Sequence, residues 1–448
     1  MSLSLNDWLS LLESRHPRTI DLGLERCREV WERMSAPRPA RRIFLVAGTN
    51  GKGSTVAYLD GMLRSLDYSC GSYTSPHLLR YNERVRINGA DVSDRQLVEA
   101  FERVEASRRD ISLTYFEFGT LAAFSILQNA NLDFAVLEVG LGGRLDTVNI
   151  LDADCAVITN VGLDHQEYLG DNRDSIGREK AGIIRRNTPL ICGEADPPDS
   201  VMSTASRLQA PVARLGHEFG VRASGKEIHF TKGAADFLLP GPRMTGQHQL
   251  SNLATALAAL LELVPDASKH IRRLSAGITA VSLPGRLQQI SDQPRVYVDV
   301  GHNPLAARAV LDVLGNSPGR SPDAQCHCVI GMLADKDAAG VAKILDSLVS
   351  VWYCAGLEGE RGQSGEELAR RIRAGVANAT VISCADVGMA LDAALEAVGK
   401  GCPSSDCVLV FGSFLTAAQA IGRWRQDVRS NFGEVLSQTE LDADRIPS

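Results

Sequence analysis

Ile43-Phe44-Leu45-Val46-Ala47-Gly48-Thr49-Asn50-Gly51-Lys52-Gly53-Ser54-Thr55 is the stretch on which the fold turns. Its first five residues are the apolar run of a buried strand. A Gly-rich loop follows from Gly48 to Ser54, and Val56, Leu59, Leu63 and Leu66 then recur at helical spacing. Strand, loop and helix in that order turn backbone N–H groups and a helix N-terminus toward an anion, and Lys52 supplies a point charge for terminal phosphates. Thr49, Asn50, Gly51, Lys52, Gly53 and Ser54 are the expected nucleotide-phosphate residues, and a hydroxyl from Ser54 or Thr55 can reach magnesium. The strict Walker spacing requires Gly at position 46, where the chain has Val46. The plain alternative is a Gly-rich turn with an exposed lysine.

Outward from the loop, apolar β-branched runs ending in Gly, Asn or Asp recur at 42–47, 132–139, 155–160 and 189–192, with helical patterns between them. That alternation predicts an α/β fold with a mainly parallel sheet. Residues 212–239 alternate polar and apolar around Gly220 and Gly225, which suits a small antiparallel part. An Ala- and Leu-rich helix is expected from near Gln249. The tract 283–294, with Pro284, Gly285 and Pro294, lacks periodicity and marks a boundary. Five further strands are expected at 296–300, 327–332, 349–354, 380–384 and 407–411, forming a Rossmann-like unit. The expected organisation is an N-terminal P-loop ATPase-like domain over 1–285, a linker at 286–295 and a C-terminal domain over 296–448.

A chain of 448 residues with 44% hydrophobic and 23% charged residues is long enough for two or three packed domains. Its formal charge of -7 argues against a general attraction to nucleic acid or anionic membrane, though not against a small acidic substrate. Residues 1–14 carry no Lys or Arg and no long apolar run, unlike a secretory signal, and suit a packed amphipathic helix. The apolar stretch 253–264 is too short to span a bilayer. A cytoplasmic location is expected. Ten scattered cysteines form no CxxC pair, and Cys326-His327-Cys328 reads as a buried strand rather than a metal site.

Three further segments carry chemistry. Leu132 to Glu138 ends a buried strand in a carboxylate, a magnesium candidate beside a phosphate loop, and Val139 to Asp146 continues as a Gly-rich turn. Ala156 to Asn160 is another strand, and Val161-Gly162-Leu163-Asp164-His165 follows at what should be the same sheet edge. If the two strands are neighbours, Glu138 and His165 reach one metal site; alone, His165 reads as packing or capping. Lys180 falls in a short amphipathic helix, where residue chemistry by itself suggests a solvated or ion-paired lysine.

These segments, together with 19–25, Thr74-Ser75-Pro76-His77-Leu78, 116–120, 177–182, Gly285-Arg286, 299–304 and 331–337, are similar to one family. From about residue 5 to about 420 the chain resembles the bacterial bifunctional dihydrofolate synthase/folylpolyglutamate synthase family of Mur-type ligases. The resemblance implies a two-domain Mur-ligase-like fold with ATP in the interdomain cleft, and two Mg2+ ions. It implies that Thr49 to Lys52, Asn252, Arg286 and Asp299 bind ATP, that Ser75, Glu138 and His165 ligate magnesium with Ser54 a further hydroxyl candidate, and that Lys180 is carbamylated. An ammonium beside two metal ions would be repelled; a carbamate would not. Ile20, Asp21, Leu22, Thr114 and Leu145 match dihydropteroate-contacting positions, and Phe116 is either a ring contact or core. Residues 75–87, with Arg80, Arg84 and Arg86, resemble a mobile loop; the bland alternative is a solvated hairpin. Gly301 stands where the family more often has alanine.

The resemblance implies an ATP-dependent ligase in which a substrate carboxylate takes the terminal phosphoryl group and the acyl phosphate is captured by the amine of L-glutamate. Dihydropteroate and tetrahydrofolate are the implied acceptors, and a monomer is the implied state. Lys52 and Lys180 are the expected catalytic residues, with His302 either assisting or capping an Asn-Pro turn. The rivals are a folylpolyglutamate synthase alone, a muramyl-type amide ligase, and a nucleotide-dependent switch. The switch is disfavoured because no Asn-Lys-x-Asp base-reading motif occurs.

Overall fold

Five consecutive residues, Ile43 to Ala47, are wholly buried, which only a strand covered on both faces achieves. They end β1 (Ala40–Ala47) in the middle of an eight-stranded sheet. This computed structural model describes residues 3–16, 21–35, 38–316, 321, 323–399 and 406–432. The strands preceding β1's partners in sequence are β2 (Cys70–Tyr73), β3 (Val85–Ile87) and β4 (Ala90–Asp91). Beyond them come β5 (Leu132–Glu138), β6 (Cys155–Ile158), β7 (Leu190–Cys192) and β8 (Val212–Arg214). Their order is β4-β3-β2-β5-β1-β6-β7-β8, antiparallel only where β3 meets β2 and β4.

This order corrects one expectation. β5 and β6 are not neighbours, because β1 lies between them. All three are parallel, with Val46 opposite Glu138 and Ala47 opposite Ile158, so their carboxyl ends still finish level. The phosphate loop therefore leaves the centre of the edge, with Glu138 on one side and the 159–165 segment on the other.

Helix 115–129 is buried along most of its length and packs with helices 5–15, 25–33 and 94–108 on an aromatic core that includes Trp8, Phe101, Phe118 and Phe124. Helix 52–65 packs against helices 247–263 and 271–279. The antiparallel part is shorter than expected: β8 joins the main sheet, and only β9 (Phe219–Ser224), β10 (Glu227–Lys232) and β11 (Ala235–Pro240) form a separate three-stranded sheet.

Residues 1–243 and 247–281 form one unit, and 244–246 with 282–448 form a second. The second contains β12 (Gln288–Asp292), β13 (Arg295–Val298), β14 (Cys326–Ile330), β15 (Val351–Ala355), β16 (Thr380–Cys384) and β17 (Cys407–Phe411), ordered β12-β13-β17-β14-β15-β16. All neighbours are parallel except β12 with β13. The tract 286–295 is thus not a free linker: most of it is an edge strand, whose Gln-Gln-Ile-Ser-Asp sequence has too little apolar content to announce itself. Cys326 and Cys328 are both fully buried on the core side of β14. Among the described residues no cluster of His, Cys, Asp or Glu is arranged to hold a metal, and no helix is long and apolar enough to cross a membrane.

Candidate active site

Gly51 starts helix 52–65 in the left-handed conformation, with φ +82°. A Cβ there would lie 2.2 Å from Asn252 Oδ1, so both backbone and space demand glycine. The same contact puts Asn252, on helix 247–263, against the loop. Thr55 N–H makes the first helical bond, to Gly51 C=O at 2.9 Å, so the N–H groups of Lys52, Gly53 and Ser54 are first-turn donors that no intrahelical carbonyl takes up. Lys52 Nζ donates to the carbonyls of Gly48 and Thr49, each at 3.1 Å, folding the ammonium over the loop.

The front of the loop is laced to the segment after β6. Thr49 N–H donates to Asn160 C=O at 2.9 Å, Asn50 N–H to Asn160 Oδ1 at 3.0 Å, and Asn160 Nδ2 back to Asn50 C=O at 3.0 Å. Thr159 Oγ1 also donates to Asn50 C=O, at 2.6 Å. Thr49 Oγ1 bridges both peptide groups of Gly162, at 2.9 and 3.1 Å. Thr49 and Asn50 therefore shape the loop with their polar groups, and 159–162, read in sequence only as a strand end leading to His165, is the loop's scaffold.

The two hydroxyl candidates separate. Thr55 Oγ1 donates to Gly51 C=O at 3.0 Å, whereas Ser54 Oγ is buried without a hydrogen-bond partner. A buried orphan hydroxyl costs about 1–3 kcal/mol, so a residue kept in that state beside a phosphate loop fits a ligand that completes it.

Glu138 is buried at the end of β5 and accepts from Ser75 N–H at 3.2 Å. His165 lies on the other side of the loop in the left-handed conformation, with φ +50°, and its N–H donates to Asp164 Oδ1 at 2.8 Å. Lys180 ends helix 173–180 and is only 3% exposed, so the solvated lysine suggested by its helical pattern is corrected. Burial, followed by the charge of Lys52 and opposed by Asp164 and Glu194, lowers its pKa to about 7. One carboxylate, one imidazole and the unshared Ser54 hydroxyl make an incomplete oxygen-rich set, which fits magnesium that takes its remaining ligands from phosphates and water.

Residues 46–260 match the Mur ligase middle domain, and 285–414 match the Mur ligase glutamate ligase domain. The chain is 43% identical to the dihydrofolate synthase/folylpolyglutamate synthase of Escherichia coli strain K12, over 93% of this chain and 94% of that one. The chain belongs to this family. An E. coli structure in complex with DHPP and ADP superposes with TM-score 0.87 at 42% identity, covering 96% of this chain and 99% of that one. A Yersinia pestis bifunctional enzyme complexed with AMPPNP and Mn ion gives 0.84 at 41% identity, covering 95% and 98%.

Within this dihydrofolate synthase/folylpolyglutamate synthase frame, Ile20 lies outside the described residues. Asp21 is paired with Arg26, whose guanidinium also donates to Glu117 at 2.8 Å. Thr114 is buried as the N-cap of helix 115–129, accepting from Glu117 N–H at 3.2 Å. Phe116 is half-buried and packs on Gly140, where a Cβ would meet its ring at 2.5 Å, and Leu145 is half-buried in the turn beyond. Asp146 was not assigned a role from sequence. It is fully enclosed, accepts from Leu141 and Val148 N–H at 2.8 and 2.9 Å, and burial raises its pKa to about 6. Arg84 is buried rather than a hairpin's solvated charge: it donates to His77 Nδ1 at 2.9 Å and lies 4.9 Å from the Tyr81 ring.

In the second unit, Asp299 accepts from Leu287 and Gly301 N–H, each at 2.7 Å. Burial raises its pKa, opposed by Arg286, whose guanidinium lies 5.3 Å from the Phe414 ring. The cap of helix 304–314 is Asn303, accepting from Ala306 N–H at 2.9 Å, while His302 Nδ1 is 3.1 Å from Val300 C=O. At Gly301 a Cβ would lie 2.5 Å from Phe411 Cε2, so the ring occupies the space that an alanine methyl would need.

Proposed function

We propose that the chain joins L-glutamate to dihydropteroate, giving dihydrofolate, and to tetrahydrofolates, giving polyglutamates, with ATP converted to ADP and phosphate. The observation that supports this reading is the phosphate loop with its orphan Ser54 Oγ at the carboxyl edge of β1, with Glu138 ending β5 on one side, the segment to His165 leaving β6 on the other, and Lys180 buried within reach of the Lys52 charge. In the proposed reaction the pteroate or folate carboxylate attacks the γ-phosphorus, the bridging P–O bond breaks, and ADP leaves. The glutamate amine then attacks the acyl carbon, loses a proton, and expels phosphate.

Lys52 and the N–H groups of Lys52, Gly53 and Ser54 hold the transferring phosphoryl group and oppose its charge. Magnesium, when bound, neutralises the phosphates; Ser54, Ser75, Glu138 and His165 are its proposed ligands. Lys180 acts as a carbamate beside them. Asp21, Leu22, Thr114, Phe116 and Leu145 are proposed to face the pterin-bearing substrate, and Asn252, Arg286 and Asp299 the nucleotide. His302 is proposed to assist the reaction. The proposed working form is a cytoplasmic monomer.

The test is incubation with Mg-ATP, glutamate and either dihydropteroate or tetrahydrofolate, following ADP release and product mass. A mass gain of one glutamyl residue on each acceptor is expected. A glutamylated product from neither, with turnover of a UDP-muramyl substrate instead, overturns the folate reading.

A further inference from the structure

Val161 lies between Asn160 and Gly162, both tied to the phosphate loop, and opens the segment that leads to His165; it has a fastening of its own. Val161 N–H donates to Glu194 Oε1 at 3.1 Å, and Val161 C=O accepts from Arg173 Nε at 2.9 Å. The two side chains close on each other, Arg173 Nη2 to Glu194 Oε2 at 2.9 Å, and Arg173 also reaches Asp196 C=O at 3.0 Å. Glu194 follows β7, and Arg173 is the first residue of the helix that ends in Lys180. Glu194 is brought there by Gly193, whose N–H bonds Ile158 C=O at 2.8 Å and where a Cβ would lie 2.4 Å from Thr159 C=O.

A partly exposed ion pair is worth little by itself; the Arg173 and Glu194 side chains are 45% and 20% exposed. Here each partner also takes up one end of the same residue's peptide groups, so the pair acts as a clasp on the backbone rather than as a surface bridge. It joins the three segments that follow β6, follow β7 and lead to Lys180. We propose that Arg173 and Glu194 are positioning residues that register the His165 segment against the Lys180 helix, and so set affinity for the divalent ion rather than for the nucleotide. The inference rests on the metal reading of His165 above. The nucleotide loop is held to the flanking Asn160 and Gly162 by hydrogen bonds of Thr49 and Asn50, which are separate from the clasp's own and stay in place when it is removed.

Mn2+ binding to the full chain with ADP present is measured by the electron paramagnetic resonance signal of free Mn2+, and ADP binding is measured separately in EDTA. Glu194→Ala and Arg173→Met are each expected to weaken Mn2+ about tenfold while ADP affinity in EDTA stays within twofold. The double variant should be no weaker than either single one, because both remove the same clasp. Glu194→Gln, which keeps the acceptor for Val161 N–H, should recover part of the loss. Unchanged Mn2+ affinity in both single variants, or a parallel fall in ADP affinity, overturns the proposal. His165→Ala separates the two readings: if it weakens Mn2+ while the clasp variants do not, the clasp alone is wrong. If His165→Ala leaves Mn2+ binding intact, the metal assignment beneath it is wrong and the proposal falls with it.

Discussion

Lys180 is buried with its pKa lowered to about 7, and the same burial that makes its ammonium costly makes its amine reactive. At pH 7.5 a lysine of ordinary pKa is neutral in roughly one molecule per thousand; at a pKa of about 7 the neutral share is roughly three-quarters, a gain of several hundredfold. Carbamylation needs that neutral amine: Nζ attacks the carbon of CO2, a proton leaves, and the product is an anion. In buffer stripped of CO2 the activity should therefore be low and should return on adding bicarbonate, with the response strengthening as pH rises through about 7. Carbon-13 bicarbonate should give a carbamate resonance that Lys180→Met abolishes.

The unmodified lysine also has a stability signature. Its folded pKa lies below its unfolded one, so the folded state holds fewer protons between about pH 7 and 10.5, and stability rises with pH across that window. At pH 7 the ammonium costs on the order of 4 kcal/mol, so in CO2-free buffer Lys180→Met should be inactive yet more resistant to urea than the wild type. A fully active, CO2-equilibrated protein without a carbamate resonance would refute the reasoning, as would a Lys180→Met protein less stable than the parent.

Ser54→Ala removes an orphan hydroxyl, so it should leave urea stability unchanged or slightly raised while turnover falls about tenfold or more and the requirement for Mg2+ rises; unchanged kinetics would return Ser54 to a packing role. Gly51→Ala combines a left-handed backbone, about 1–2 kcal/mol for an L-residue, with a Cβ 2.2 Å from Asn252 Oδ1, and should abolish ATP binding measured by calorimetry. Asp299→Asn keeps the shape but can accept at only one oxygen where the carboxylate accepts at both. About 1–3 kcal/mol should be lost in urea unfolding of the chain. For Asp146, folded pKa about 6 against 3.8, stability should fall as pH rises from about 4 to 6, and Asp146→Asn should flatten that slope.

What could be read in advance divides along the range of the forces involved. The β1–loop–helix unit was legible because each of its signals is local: a buried run, a left-handed glycine, and a helix start within thirteen residues. Glu138 was legible for the same reason, as a carboxylate closing an apolar strand. The order of strands was not, since nothing in 132–138 or 155–158 states that β1 lies between them; the expectation that they adjoin failed, and only the shared edge held, because parallel strands finish at one edge in any order. Short or polar strands were the other gap: Cys70–Tyr73 offers four residues, and Gln288–Asp292 is an edge that needs little apolar surface.

Lys180 shows the limit most sharply. Its own helix reads as amphipathic and half-solvated, while the charge that depresses its pKa beyond burial itself, Lys52, comes from a distant segment. The Arg173–Glu194 clasp is likewise invisible in sequence, because its target is the backbone of Val161 and carries no side-chain signature. The phosphate loop names the ligand class on its own. Whether the edge around it can hold a metal and a carbamate is decided by residues that only the folded sheet brings into register.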